Sequence, residues 1–326
     1  MTVQELKLDS LSRRIVSSRY LAHLSEITPD WLKHVPKVLY ESIRAWITHR
    51  AASKGAALAF YTLFSLTPIL VLAIAVGGYF FGEQAAQGQI INQIQSLVGR
   101  NGANAIQALL AAARDPAAGL MATAVAGVLL LVGATSVFAE LKGSLDEVWG
   151  MQRTDHSAIT AVLRTRLLSF GLVLVLALLL LISLVVSAAL SLLEHYMVGI
   201  WSSSVVVLKM LSSLISFSVI ACLFAVIYKM LPDAPLSWRD VWVGAAFTTG
   251  LFALGKYLIG LYLGNSAVAS SFGAAGSVIA LLLWVYYSAQ IFFLGAEFTR
   301  QYALWFGSLQ HVRMRYDEEA DAAIHG

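Results

Sequence analysis

A lysine inside an apolar run is the residue of this chain that most invites a chemical reading. Lys256 follows Leu251 to Leu254 and precedes Tyr257 to Leu263, so its ammonium stands within the hydrocarbon unless the side chain reaches back to an interface. Ionisable groups at such depth tend to face a bundle interior and mark the path of an anionic group, whereas snorkelling beside Tyr257 and Tyr262 is the plainer use of the same residue. Pro68 offers a second kind of chemistry. It frees the carbonyl of Phe64, and with Thr62, Ser65 and Thr67 close by the freed groups could line a polar pocket rather than an ordinary kink. Gln290, with Tyr286, Tyr287 and Ser288, and the group Ser212, Ser213 and Ser216 put further polar atoms into apolar runs, where hydrogen bonds between helices are their usual role. The candidate substrate-binding set is therefore Lys256, Pro68, Ser65, Tyr262 and Gln290. A mixed belt of Lys54, Glu140, Lys142, Arg164, Arg166, Arg239, Asp240, Glu297 and Arg300 falls at the ends of the runs, where Glu140 and Glu297 are expected to pair with cations.

Other chemistries find no support. The seven histidines are scattered singly and the one cysteine, Cys222, sits in an apolar run, so neither a metal site nor a disulfide framework is expected. A Gly-x-x-x-x-Gly-Lys-Ser/Thr phosphate loop is absent, which removes that route to ATP hydrolysis. The expectation is a protein that is not an enzyme, with no catalytic residues and no cofactor.

The elements that must hold these residues are set by the bilayer. With 58% hydrophobic and only 13% charged residues and a mean hydropathy of +0.73, the chain carries more apolar surface than a soluble fold can hide. Apolar runs of bilayer-spanning length predict helices at Ala56 to Phe81, Leu120 to Ala139, Leu167 to Leu193, Val205 to Tyr228, Val241 to Leu263 and Gly273 to Ala296. The fold class is an all-α integral membrane protein of six transmembrane helices. Residues 1–54 form an N-terminal cytoplasmic segment, 55–300 the membrane domain and 301–326 a cytoplasmic tail with the acidic run Asp317 to Asp321. No cleavable signal peptide is expected, since the early residues are rich in Lys, Arg and His. Lys and Arg concentrate before the first run, in alternate loops and in the tail, which places both termini in the cytoplasm.

Trp31 to Arg50 is amphipathic rather than spanning: Val35, Val38, Leu39, Ser42, Ile43 and Trp46 share one face, as in a helix lying at the interface or packed on the inner ends of the spans. Gly82 to Gly119 reads as two short extracytoplasmic amphipathic helices broken at Asn101-Gly102. Leu141 to Trp149 reads as a helical continuation of the second span that extends into the cytoplasm or bends along the interface.

Several separated motifs then fall in a recognisable order. AALAFYTLFSLTP runs from Ala56 to Pro68, YKMLPDA from Tyr228 to Ala234, WRDV from Trp238 to Val241, FGAAGS from Phe272 to Ser277 and LLLWVYYSAQIFFLGAEF from Leu281 to Phe298. Together they resemble the YihY / virulence factor BrkB family over roughly Ser53 to Tyr302. The resemblance implies a six-helix protein of the bacterial inner membrane and a role in transport, of lipids or lipid-linked precursors or of ions, without an agreed catalytic site. Members of that family were long labelled a ribonuclease. This sequence has neither clustered metal ligands nor a strong basic surface for RNA, and no nucleic-acid partner is expected.

Among functions, an ion exchanger generally needs a carboxylate deep in the membrane, and none stands near the middle of the six expected spans. One deep lysine and a cationic inner rim suit an anionic lipid or lipid-linked amphiphile, so movement of such a molecule is the expectation, with membrane lipids as partners. Cation/proton exchange and a non-transporting scaffold are the alternatives, and a homo-oligomer is compatible with either.

Overall fold

The computed structural model describes residues 30–113, 136–151, 202–232, 234–265 and 274–314. Its long helices are α1 (Asp30–Thr48), α2 (Ala51–Phe81), α3 (Glu83–Ala113), α4 (136–148), α5 (Ser202–Met230), α6 (Trp238–Asn265) and α7 (Ala274–Trp305). Every regular element among the described residues is helical, the arrangement that satisfies backbone polar groups without water. By length and composition, Met210–Met230 in α5, Trp238–Ile259 in α6 and Val278–Trp305 in α7 can cross a membrane. The fourth, fifth and sixth expected spans fall on these helices. The first falls within α2, which is continuous from Ala51 to Phe81, while the second, apart from its last residues, and the third lie outside the described residues.

α7 is the central element, packing against α6, α2, α1 and α3, while α5 lies on α6. Close approach of α6 and α7 depends on two glycines. A Cβ on Gly244 would sit 1.8 Å from Thr299 Oγ1, and one on Gly295 would sit 2.0 Å from Thr248 Oγ1, so neither position admits a larger residue without displacement. The Tyr228 hydroxyl crosses the same contact, donating to the Phe292 carbonyl at 2.8 Å and lying 3.1 Å from Thr248 Oγ1. This interhelical polar contact does not use the serines expected for it: Ser213 and Ser216 are exposed, and Ser288 donates to Trp284 O of its own helix at 2.8 Å.

The segment after α2 departs from expectation. α3 is one helix, not two, and it folds back along α2 from a turn at Gly82, whose φ of 84° lies in the left-handed region that glycine adopts without cost. Asn101-Gly102 does not break it. A glycine inside a helix costs about 1 kcal/mol, and here packing outweighs that, because Gly102 is buried and Ala105, Ile106 and Leu110 join Leu70, Ile74 and Leu281 in one apolar cluster.

The amphipathic segment forms α1, which lies against α7 with Val38 and Ser42 buried. The Trp305 indole N–H donates to Glu41 Oε2 at 2.7 Å, and its ring receives the Lys37 ammonium at 4.7 Å and the Arg313 guanidinium at 3.3 Å from the centroid. Tyr40, Ile43 and Ile47 remain exposed, so the interface reading and the packed reading are compatible. The helix predicted to extend through Leu141 to Trp149 is present as α4, ending at Val148.

Candidate functional site

The junction of α1 and α2 with α7 brings together His49, Gln290 and the buried carboxylate of Glu297. α1 ends at Thr48, and the chain turns through His49 and Arg50, a non-glycine residue with φ 53°, before α2 begins at Ala51. That turn sets the His49 ring against α7, where Nδ1 lies 2.5 Å from Glu297 Oε1. Glu297 is 1% exposed, and its second oxygen, Oε2, has no hydrogen-bond partner. An orphaned buried carboxylate oxygen is costly unless a proton, water or cation meets it.

Two turns earlier on α7, Gln290 continues the same polar line. Its Nε2 donates to the Ala51 carbonyl at 3.4 Å, while Oε1 is buried without a partner. Gly55 makes room for this amide, since a Cβ there would come within 2.1 Å of Nε2. One turn along α2, Lys54 pairs with Glu147 Oε2 at 2.9 Å and borders a cavity of about 430 Å³ shared with Glu140, Ser144, Asp146 and Met151. On its wall Ser144 Oγ donates to Glu140 Oε1 at 3.4 Å, and the lining Asp146 pairs with Lys142 at 3.2 Å. Lys54 thus borders this cavity one helical turn from Ala51, the residue that Gln290 holds.

The sequence-derived site is only partly assembled. Lys256 is exposed, among Leu254, Tyr257 and Leu258, which are exposed as well. The interior position expected for this cation is not what the structure shows: the face of α6 that carries Lys256 is turned outward, as the snorkelling alternative requires. Ser65 is buried, and its hydroxyl donates to the Thr62 carbonyl at 3.2 Å on its own helix. Pro68 lies within the unbroken α2, and its side chain and that of Tyr262 are outside the described ones. Arg164 lies outside the described residues, and Arg239 is exposed. Glu297 differs in two ways from its expected place at a helix end among cations. α7 continues to Trp305, which puts Glu297 inside the candidate span, and its partner is a histidine. Sequence reasoning missed His49, Tyr228 and Thr248. Nothing local distinguishes His49 from the other single histidines, because its partner is 248 positions away. Among the described residues no three His, Cys, Asp or Glu side chains are placed to hold a metal ion.

Comparison with known proteins gives a consistent result. Residues 42–312 match the family model described as virulence factor BrkB. Among curated proteins, a UPF0761 membrane protein of Verminephrobacter eiseniae is 29% identical over 88% of this chain and 66% of its own length. Proteins of the same description from Albidiferax ferrireducens and Ralstonia nicotianae are each 27% identical, over 80% and 73% of this chain and 61% and 52% of their own lengths. The chain therefore spans less than two thirds of the length of these relatives. No solved structure matches it.

Proposed function

The chain belongs to the virulence factor BrkB family of membrane proteins, and from that premise we propose that it is a transporter coupling a small cation to protons, with Glu297 as the proton-binding group. The observation that carries this reading is the Glu297 carboxylate itself: buried within a span-length helix, held by His49 through one oxygen and open at the other. Intramembrane carboxylates of this kind are the usual carriers of a translocated ion. The cavity bordered by Lys54, Glu140 and Glu147 supports the reading, since Lys54 stands one helical turn from Ala51, whose carbonyl accepts from Gln290.

Movement of an anionic lipid, the expectation from sequence, rested on an interior Lys256, and that residue is exposed. Lys54 does not replace it, being paired with Glu147. The reading includes no enzymatic activity and no cofactor. It sets the protein in a bacterial inner membrane with both termini cytoplasmic, following the distribution of Lys and Arg.

Proteoliposomes containing a pH-sensitive dye test the proposal. A sodium or potassium pulse is expected to drive saturable proton flux through the parent protein and none through Glu297→Gln, which keeps the shape and cannot carry the charge. Absence of flux in the parent, together with transbilayer movement of a fluorescent anionic phospholipid, would restore the lipid reading.

A further inference from the structure

An exposed apolar stripe edged with cations runs along α1. Pro36, Tyr40, Ile43 and Ile47, spaced i, i+4, i+7 and i+11, share one face of the helix and are all exposed, opposite the buried Val38 and Ser42. Lys37 and Arg44, seven positions apart, flank the stripe on one side, and Arg50 stands just past its end; all three are exposed. Among the described residues neither Arg44 nor Arg50 has an ion-pair partner. Glu41, the one carboxylate among the described side chains of α1, is drawn to the Trp305 indole at 2.7 Å.

The depth of this stripe follows from what α1 touches on α7. Val278–Trp305, at 28 residues and about 1.5 Å each, is longer than the roughly 30 Å of hydrocarbon and reaches into the headgroup layers. Trp305 closes that span and holds Glu41, so the middle of α1 stands at headgroup level. His49 meets Glu297 two turns earlier on α7, so from there α1 slopes toward the acyl chains, with Ile43 and Ile47 on the descending part. A second copy of the chain is a poor occupant, because a two-fold contact through the stripe would bring the Arg44 edges of two chains together with no free carboxylate to offset them. We propose that α1 is an anchor for anionic lipid, in which Ile43 and Ile47 enter the upper acyl region while Arg44, Arg50 and Lys37 engage headgroup phosphates. Guanidinium forks match phosphate oxygens, and both arginine stems are long enough to reach back to the headgroups. The lipid is held at the rim and not carried across. The inference does not rest on the titrating pair, since lipid contact is read without any flux.

Nitroxide quenching in the full-length protein tests it. A bimane is attached to Ile43→Cys or Ile47→Cys in a Cys222→Ala background, and each labelled protein is reconstituted in phosphatidylcholine. Increasing amounts of phosphatidylcholine or phosphatidylglycerol bearing a nitroxide high on one acyl chain are then included. Two label positions keep the measurement open should one variant fail to fold. Both lipids are expected to quench, with phosphatidylglycerol favoured about tenfold at low ionic strength. That preference should fall to about twofold or less in Arg44→Gln/Arg50→Gln and at high salt, and should be unchanged in Lys256→Gln, which removes an exposed cation elsewhere. Equal quenching by the two lipids in the parent overturns the headgroup contact, as does a preference that survives the double variant or disappears equally in Lys256→Gln. Absence of quenching by either lipid overturns the lipid face altogether, and a cross-link between unlabelled Ile47→Cys chains would then identify a second copy on it.

Discussion

His49 and Glu297 stand 248 positions apart in the chain and 2.5 Å apart in the fold, so a histidine at the start of the membrane domain holds a carboxylate buried near its end. Removing either partner has unequal consequences. His49→Ala leaves a buried carboxylate with neither oxygen paired, and loss of one partner of a buried pair costs about 3–5 kcal/mol, toward the lower end here because the His49 side chain is 23% exposed. Glu297→Gln leaves an amide that can still meet the imidazole. Thermal unfolding of the detergent-solubilised protein should show a large loss for His49→Ala, a small one for Glu297→Gln, and recovery of most of the loss in the double variant. Equal losses for both single variants would contradict the pairing.

The glycines of the α6–α7 contact give a sharper contrast. Gly244→Ala and Gly295→Ala each drive a methyl into a threonine side chain and should cost about 1–3 kcal/mol as overpacking. Gly250→Ala meets nothing within 4 Å and should be neutral or slightly stabilising through helix propensity. The melting temperatures of the three variants check the order.

Tyr228→Phe removes the hydroxyl that bridges α5 to α6 and α7 but leaves the ring, which stacks near Phe224 and Phe292, in place. Thr248 keeps its bond to the Gly244 carbonyl at 2.7 Å, so no hydroxyl is stranded. The expected loss is about 1 kcal/mol. A much larger loss in a chemical-denaturation midpoint would mean that the hydroxyl network carries more than one bond's worth of stability.

Lys256→Met should change neither the melting temperature nor the transport rate, since its side chain is exposed on the outer side of α6. Loss of transport in reconstituted vesicles with the protein still folded would return Lys256 to the site.

For orientation, Gly88→Cys near the α2–α3 turn and Gln310→Cys after α7, both exposed, provide a pair in the Cys222→Ala background. With the termini cytoplasmic, an impermeant thiol reagent added to intact cells should label the first and not the second.

Much of the architecture was legible because the bilayer imposes a length and a polarity on each span: the edges of α5, α6 and α7 follow the apolar runs to within a few residues, except where α7 runs on to Trp305. The long α3 was not legible. Its Asn101-Gly102 pair is a break signal by local propensity, and only contact with Leu70, Ile74 and Leu281, remote in sequence, overrides it. The site was least legible for the same reason. Lys256 and Glu297 could each be seen as charges near apolar runs, but which side of the helix faces inward is set by helix crossings, and those depend on glycines such as Gly244 and Gly295 whose partners are far along the chain. Gln290 was identified because an amide so deep in an apolar run has few uses besides bonding to a neighbour, as it does with Ala51 O.

The indole of Trp305 has a mechanical consequence. By gripping Glu41, Lys37 and Arg313 it fastens α1 and the residues after α7 to the lower end of α7, so these parts move as one lever. Any tilt of that lever against α2 must be taken up at Arg50, whose φ of 53° already holds the backbone where side-chain-bearing residues rarely stay. The His49–Glu297 contact lies beside this fulcrum.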